Sequence, residues 1–159
     1  MLVAYSPRLA DEPASYIGPR SNSTVGNCLL GWHVSNRRIQ VAVVDDEEPV
    51  RKAIERLLRS AGMGVETFSS GSEFLDSMNS RQPDCLVLDL HMPDMTGFEV
   101  QAHLAQSSTR LPVIVITGHD TSESRARVLA SGAAAYLSKP VSDDVLLDAI
   151  AATISEGDC

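Results

Sequence analysis

The stretch IQVAVVDDEEPVRKAIERLLRSAG (residues 39–62) contains one whole structural unit, and the rest of the chain repeats its pattern. IQVAVV (39–44) is a short run rich in β-branched residues, which predicts a strand. From Glu48 the period changes. Val50, Ile54, Leu57, Leu58 and Ala61 fall on one helical face, while Arg51, Lys52, Glu55, Arg56 and Arg59 cover the other. Gly62 and Gly64 end that helix.

Outward from this unit the alternation recurs. A strand at VETF (65–68) precedes the helical EFLDSMNS (73–80). The apolar strand DCLVLDL (84–90) precedes the helix GFEVQAHLAQ (97–106). PVIVIT (112–117) leads to a helix over 122–131, and AAAYLS (133–138) to a last helix at DDVLLDAIAATI (143–154). Strands that alternate with helices pair in parallel, because each helical crossover brings the chain back to the same edge. Apolar runs without polar alternation suit strands covered on both faces. The predicted fold is therefore α/β: five βα units in a three-layer, doubly wound, open parallel sheet.

Composition bounds the function. The chain has 159 residues, enough for one domain of ordinary size with a short extension. Its net charge is −8, of which residues 1–38 carry +2 and the remainder −10. That acidity disfavours a non-specific grip on nucleic acid or an anionic membrane, and is compatible with binding a metal cation. No run reaches the roughly 18 apolar residues of a membrane span. The first residues, MLVAYSPRLADEP, bring in proline, arginine and acids too early for a signal peptide, so a cytoplasmic chain is expected. Cys28, Cys85 and Cys159 form no CxxC pair, and neither a zinc site nor a disulfide framework is indicated. Cys85 lies in an apolar run and reads as a small buried hydrophobe.

Residues 1–38 hold Pro7, Pro13 and Pro19 without any sustained period, and read as a flexible extension ahead of a domain at 39–155. Val34 stands a short distance ahead of the first strand, so the native product is hypothesised to start near it. Residues 156–159 are a short tail with no room for a DNA-binding or enzymatic output domain, unless the chain is part of a longer regulator.

Ligands of open parallel sheets gather at the carboxyl ends of the strands. Those ends carry Asp45 and Asp46 after the first strand, Asp89 at the third, Thr117 at the fourth and Lys139 after the fifth. Singly, each has an ordinary explanation; an acidic pair before a helix, for example, complements the helix dipole. Together they converge on one rim. Three neighbouring carboxylates repel, so they raise their pKa values or recruit a cation. An oxygen-only set suits Mg²⁺. A carboxylate can also attack phosphorus to give an aspartyl phosphate, with Lys139 and Thr117 as donors to the transferred group.

On VVDDEEPVR (43–51), LVLDLHMPDMTGFEV (86–100), PVIVITGHD (112–120) and AAAYLSKPV (133–141), the chain resembles a bacterial two-component response-regulator receiver domain. The wording of these segments is nearest to receivers of the nitrogen-fixation type. The resemblance implies a flavodoxin-like strand order 2-1-3-4-5 and a phosphorelay function. It also implies phosphorylation of Asp89 and Mg²⁺ held by Asp46, by Asp45 mainly through water, by Asp89 and by the backbone carbonyl of His91. Thr117 and Lys139 would hold phosphoryl oxygens, Thr117 swinging toward the group while Tyr136 turns inward as the switch aromatic. The Lys139–Pro140 bond is expected to be cis. The implied partners are a histidine kinase or histidine phosphotransfer protein and a downstream protein, with neither nucleic acid nor membrane bound directly. A phosphorylation-dependent dimer is left open.

His91, Gly118 and His119 occupy variable positions of that family at the pocket's border, and the histidines read as exposed loop side chains rather than metal ligands. From the residues alone, Tyr136 could equally be a half-buried strand tyrosine with a wet hydroxyl. Met92, Met95 and Phe98 read as packing. Three rivals stand beside the receiver reading. A haloacid-dehalogenase-type phosphatase would want a second Asp where His91 stands. A flavin module lacks its phosphate loop after the first strand, and a phosphorylation-independent binding module would have no use for the intact acidic set.

Overall fold

The computed structural model describes residues 37–157. The extension read at 1–38 therefore lies almost wholly outside the described residues, as do Val34, Cys28 and Cys159. Five strands and five helices alternate: β1 (Gln40–Val44), α1 (Glu48–Ser60), β2 (Gly64–Phe68), α2 (Gly71–Ser77), β3 (Cys85–Asp89), α3 (Gly97–Gln106), β4 (Val113–Thr117), α4 (Ser122–Ala130), β5 (Ala135–Ser138) and α5 (Asp143–Gly157). All pairs are parallel, in the order β2-β1-β3-β4-β5. The α/β, doubly wound fold expected from the alternation is the one observed.

The period of two along each strand divides the core. Ala42, Val44, Leu86, Leu88 and Val115 point to a layer that contains Phe74 of α2, Val100 of α3 and Val128 of α4. Val41, Val43, Val87, Ile114 and Ile116 point the other way, toward Leu58 of α1 and Ile150 of α5. Both faces of the central strands are covered, which explains their uninterrupted apolar sequence. Met92 is buried there and Met95 and Phe98 pack against that layer, as read from sequence. Cys85 is fully buried, and burial pushes its thiol up to about 12.

Element ends depart from the periodicity in several places. Helix α1 stops at Ser60, and Gly62 turns the chain at φ +86°. Ala61 is consequently an exposed cap residue rather than part of the apolar face. Gly64 belongs to β2, where its amide donates to the Ile39 carbonyl. Helix α2 begins two residues earlier than expected, because the Ser70 hydroxyl accepts from the Glu73 amide and caps it. Strand β5 starts at Ala135 rather than 133, Gly132 making the preceding turn at φ +91°.

Two features fix the rim where the strands end. Thr96 and Glu99 form a reciprocal capping box that starts α3. Gly97 lets that helix start close against β3: a Cβ there would lie 2.5 Å from the Asp89 carbonyl oxygen. At the opposite edge, Arg37 pairs with Asp84, whose second oxygen accepts from the Gln40 amide. Among the described residues, contacts with the domain already include Arg37, ahead of the boundary read at 39. No described helix is long and apolar enough to cross a membrane.

Candidate functional site

Strand register assembles the site. Val44 pairs with Leu88, so Asp45, one residue further, lies level with Asp89. Asp89 pairs with Ile116, which leaves Thr117 one step beyond it, and Thr117 pairs with Ser138, which leaves Lys139 next. The Lys139 amide donates to the Thr117 carbonyl at 2.7 Å and extends the ladder past the last strand residue. The Lys139–Pro140 bond is cis, as expected.

Asp45 and Thr117 are fully buried and Asp89 is 3% exposed, whereas Asp46 is open to solvent. One carboxylate oxygen from each of Asp45, Asp46 and Asp89 lies within 4.8 Å of the others. Lys139 Nζ reaches into this group, donating to Asp45 Oδ2 at 2.9 Å and standing 3.5 Å from Asp89 Oδ1. All five residues singled out at the strand ends therefore meet on one rim.

The electrostatics follow from burial. Desolvation pushes the Asp89 carboxyl up to about 6; Lys139 opposes the shift, and the Asp45 and Asp46 carboxylates add to it. For Lys139, burial works against the charged ammonium. The bond to Asp45, with the Asp89 and Glu47 carboxylates, outweighs burial and raises its pKa. An oxygen-only set with one solvent-open member suits a hard cation that keeps some of its waters. The donor chemistry therefore fits Mg²⁺, with the Lys139 ammonium as the counter-charge these carboxylates have in the structure.

Several contacts were not evident from the residue pattern. Glu47 Oε1 lies 3.3 Å from Lys139 Nζ, and the Glu47 amide donates to Asp45 Oδ1 at 2.8 Å. Arg51 donates to the Asp45 carbonyl at 2.6 Å. The periodicity places Arg51 on the polar face of α1 and gives Glu47 no role of its own. His91 and His119 are exposed, as expected, yet they are not idle. His91 Nδ1 lies 3.1 Å from Thr117 Oγ1, the His119 amide donates to the same oxygen at 3.1 Å, and the two rings stand 5.4 Å apart. Tyr136 is fully buried rather than half-buried, and its hydroxyl, close to the Asp120 carboxylate, makes no well-formed hydrogen bond. Burial, then the Asp120 carboxylate, raises its pKa.

A family model described as "Response regulator receiver domain" matches residues 41–151. The chain belongs to the response regulator receiver family. This receiver is 37% identical over 128 residues to the response regulator protein TodT of Pseudomonas putida strain F1, covering 80% of the chain and 56% of TodT. It is 38% identical over 110 residues to the transcriptional regulatory protein FixJ of Rhizobium meliloti strain 1021, covering 69% of the chain and 54% of FixJ. The receiver thus spans a little over half the length of these curated relatives. Among solved structures, a response regulator receiver protein from Burkholderia phymatum aligns with a TM-score of 0.66 at 45% identity, over 74% of this chain and 95% of that one. The phosphatase, flavin and phosphorylation-independent alternatives are not favoured. Two-component signal transduction is the class of function that goes with this receiver family.

Proposed function

We propose that Asp89 accepts a phosphoryl group from a phosphohistidine of a histidine kinase or histidine phosphotransfer protein. An Asp89 carboxylate oxygen attacks phosphorus in line. The phosphorus–nitrogen bond breaks, and its electron pair leaves with the imidazole. Although Asp89 sits at about 6, it is mostly ionised at neutral pH and so is competent as a nucleophile. The observation that carries this reading is a nearly buried carboxylate at the end of β3, facing the Lys139 ammonium at 3.5 Å and two further carboxylates.

Asp45, Asp46 and Asp89, with the His91 backbone carbonyl, would hold Mg²⁺. The ion would supply charge neutralisation to the transferred oxygens. Lys139 would hold one phosphoryl oxygen, and Thr117 another after leaving its present contacts with His91 and His119. The Tyr136 ring already lies inward, so its part in the switch would be to hold or release the space that it fills, not to enter it. Phosphorylation need only bias a two-state equilibrium by a few kcal/mol to change what the α4–β5–α5 surface binds. The net charge of −10 on the residues after 38 favours a protein over nucleic acid as direct partner, and a cytoplasmic location suits a phosphohistidine donor. Residues 39–155 would be the functional unit, and deleting residues 1–33 should leave the phosphorylation rate and melting temperature unchanged.

Incubation with acetyl phosphate and Mg²⁺, followed by intact-mass measurement, tests the proposal. One phosphoryl group should be added to the wild type. None should be added to Asp89→Asn or in the absence of Mg²⁺; an unchanged addition to Asp89→Asn would overturn it.

A further inference from the structure

The segment between β4 and α4 links the pocket to the buried tyrosine through side-chain contacts. Thr117 Oγ1 is engaged by His91 and by the His119 amide. The next residue, Asp120, accepts a 2.6 Å bond from Arg125 Nη2. This ion pair is partly buried, with side chains 28% and 23% exposed. Arg125 stands on the first turn of α4, where its amide donates to the Thr121 carbonyl, and its guanidinium carbon lies 5.5 Å from the centre of the Tyr136 ring. Two buried polar atoms, Arg125 Nε and Tyr136 Oη, make no well-formed hydrogen bond. Unpaired buried polar atoms are unfavourable, so something must hold the guanidinium against the ring. The Asp120 carboxylate and the ring face supply that hold.

We propose that Arg125 is a positioning residue for the switch: by bonding Asp120 and covering Tyr136, it keeps the 118–120 segment, and with it the Thr117 hydroxyl, in the phosphoryl-free position. Asp120 is three residues from Thr117, so a movement of Thr117 toward a phosphoryl group on Asp89 pulls on the ion pair. Either the pair stretches, or Arg125 follows Asp120 off the tyrosine. In the second case Arg125 Nε and Tyr136 Oη become free to find partners, which partly offsets the loss of the pair. The brace therefore sets the resting bias of a two-state segment without touching the reacting atoms.

The inference rests on phosphorylation of Asp89, and the experiment separates the two. Phosphorylation of the full chain by acetyl phosphate with Mg²⁺ is timed for wild type, Asp120→Asn, Arg125→Gln, the double variant, and the exchanged pair Asp120→Arg with Arg125→Asp. Melting temperatures are recorded alongside. Each single variant should phosphorylate faster, by roughly two- to fivefold, the range for loss of one ion pair that solvent still partly reaches. The double variant should be no faster than either single one, and the exchanged pair should return toward the wild-type rate. A purely structural role predicts slower phosphorylation together with lower melting temperatures. That result, unchanged rates, additive gains or failure of the exchanged pair to recover would each overturn the inference while wild type still phosphorylates. No phosphorylation of wild type would overturn the proposed function and this inference with it.

Discussion

Replacing Asp89 with asparagine should stabilise the metal-free protein, in a strongly pH-dependent way. Burial raises the folded-state pKa of Asp89 from 3.8 to about 6. Below the unfolded value both states hold the proton, and the neutral buried carboxyl is at no disadvantage. As pH rises through the window from 3.8 to about 6, the unfolded chain ionises first, and the folded state progressively loses stability. Above that window the penalty is complete. Two units at about 1.4 kcal/mol each make it about 3 kcal/mol. Asparagine keeps the shape without the charge, so at about pH 7.5 Asp89→Asn should gain about 2–3 kcal/mol, a rise of roughly 10 °C in melting temperature for a domain of this size. At about pH 4.5 the gain should fall to roughly 1 kcal/mol. Urea titrations of both proteins in chelator-treated buffer at the two pH values measure the difference. A gain that is equal at both pH values, or a loss at the higher one, would mean that Lys139 more than compensates the buried charge, and would refute the reasoning.

Two further outcomes follow from the same geometry. Millimolar-scale Mg²⁺ should raise the melting temperature of wild type by mass action, and the rise should be absent in Asp46→Ala; an equal rise there would move the cation away from the cluster. Tyr136→Phe removes a buried hydroxyl that makes no well-formed hydrogen bond, so it should be neutral or stabilising by up to about 1 kcal/mol in chemical denaturation, and a loss above about 1 kcal/mol would show that the hydroxyl is satisfied in solution.

Much of this was legible because parallel sheets write their layout plainly in sequence. Strands covered on both faces leave runs such as CLVLD and VIVIT with no polar interruption. Their parallel pairing brings every carboxyl end to one rim, so Asp45, Asp89, Thr117 and Lys139 could be placed together from order alone. Cap positions were less legible, since a single hydroxyl at Ser70 moved the start of α2, and hydrophobic periodicity does not report hydrogen bonds. Loop contacts were the least legible. Nothing in the spacing of His91, Thr117 and His119 says that the first imidazole meets the threonine, because that depends on how two separate loops fold over the rim. The same holds for Arg125, whose spacing on α4 marks it as an ordinary polar-face residue, until Tyr136 of β5 and Asp120 are found beside it.

Localising the acyl phosphate tests the central claim most directly. Wild-type protein treated with acetyl phosphate and Mg²⁺ is reduced with borohydride, whose hydride converts an aspartyl phosphate to homoserine with release of inorganic phosphate, and is then sequenced by tandem mass spectrometry. The account predicts homoserine at position 89 and intact aspartate at Asp45 and Asp46. Homoserine at Asp45 or Asp46, or intact aspartate at all three positions in a sample that carries the phosphoryl mass, would contradict it.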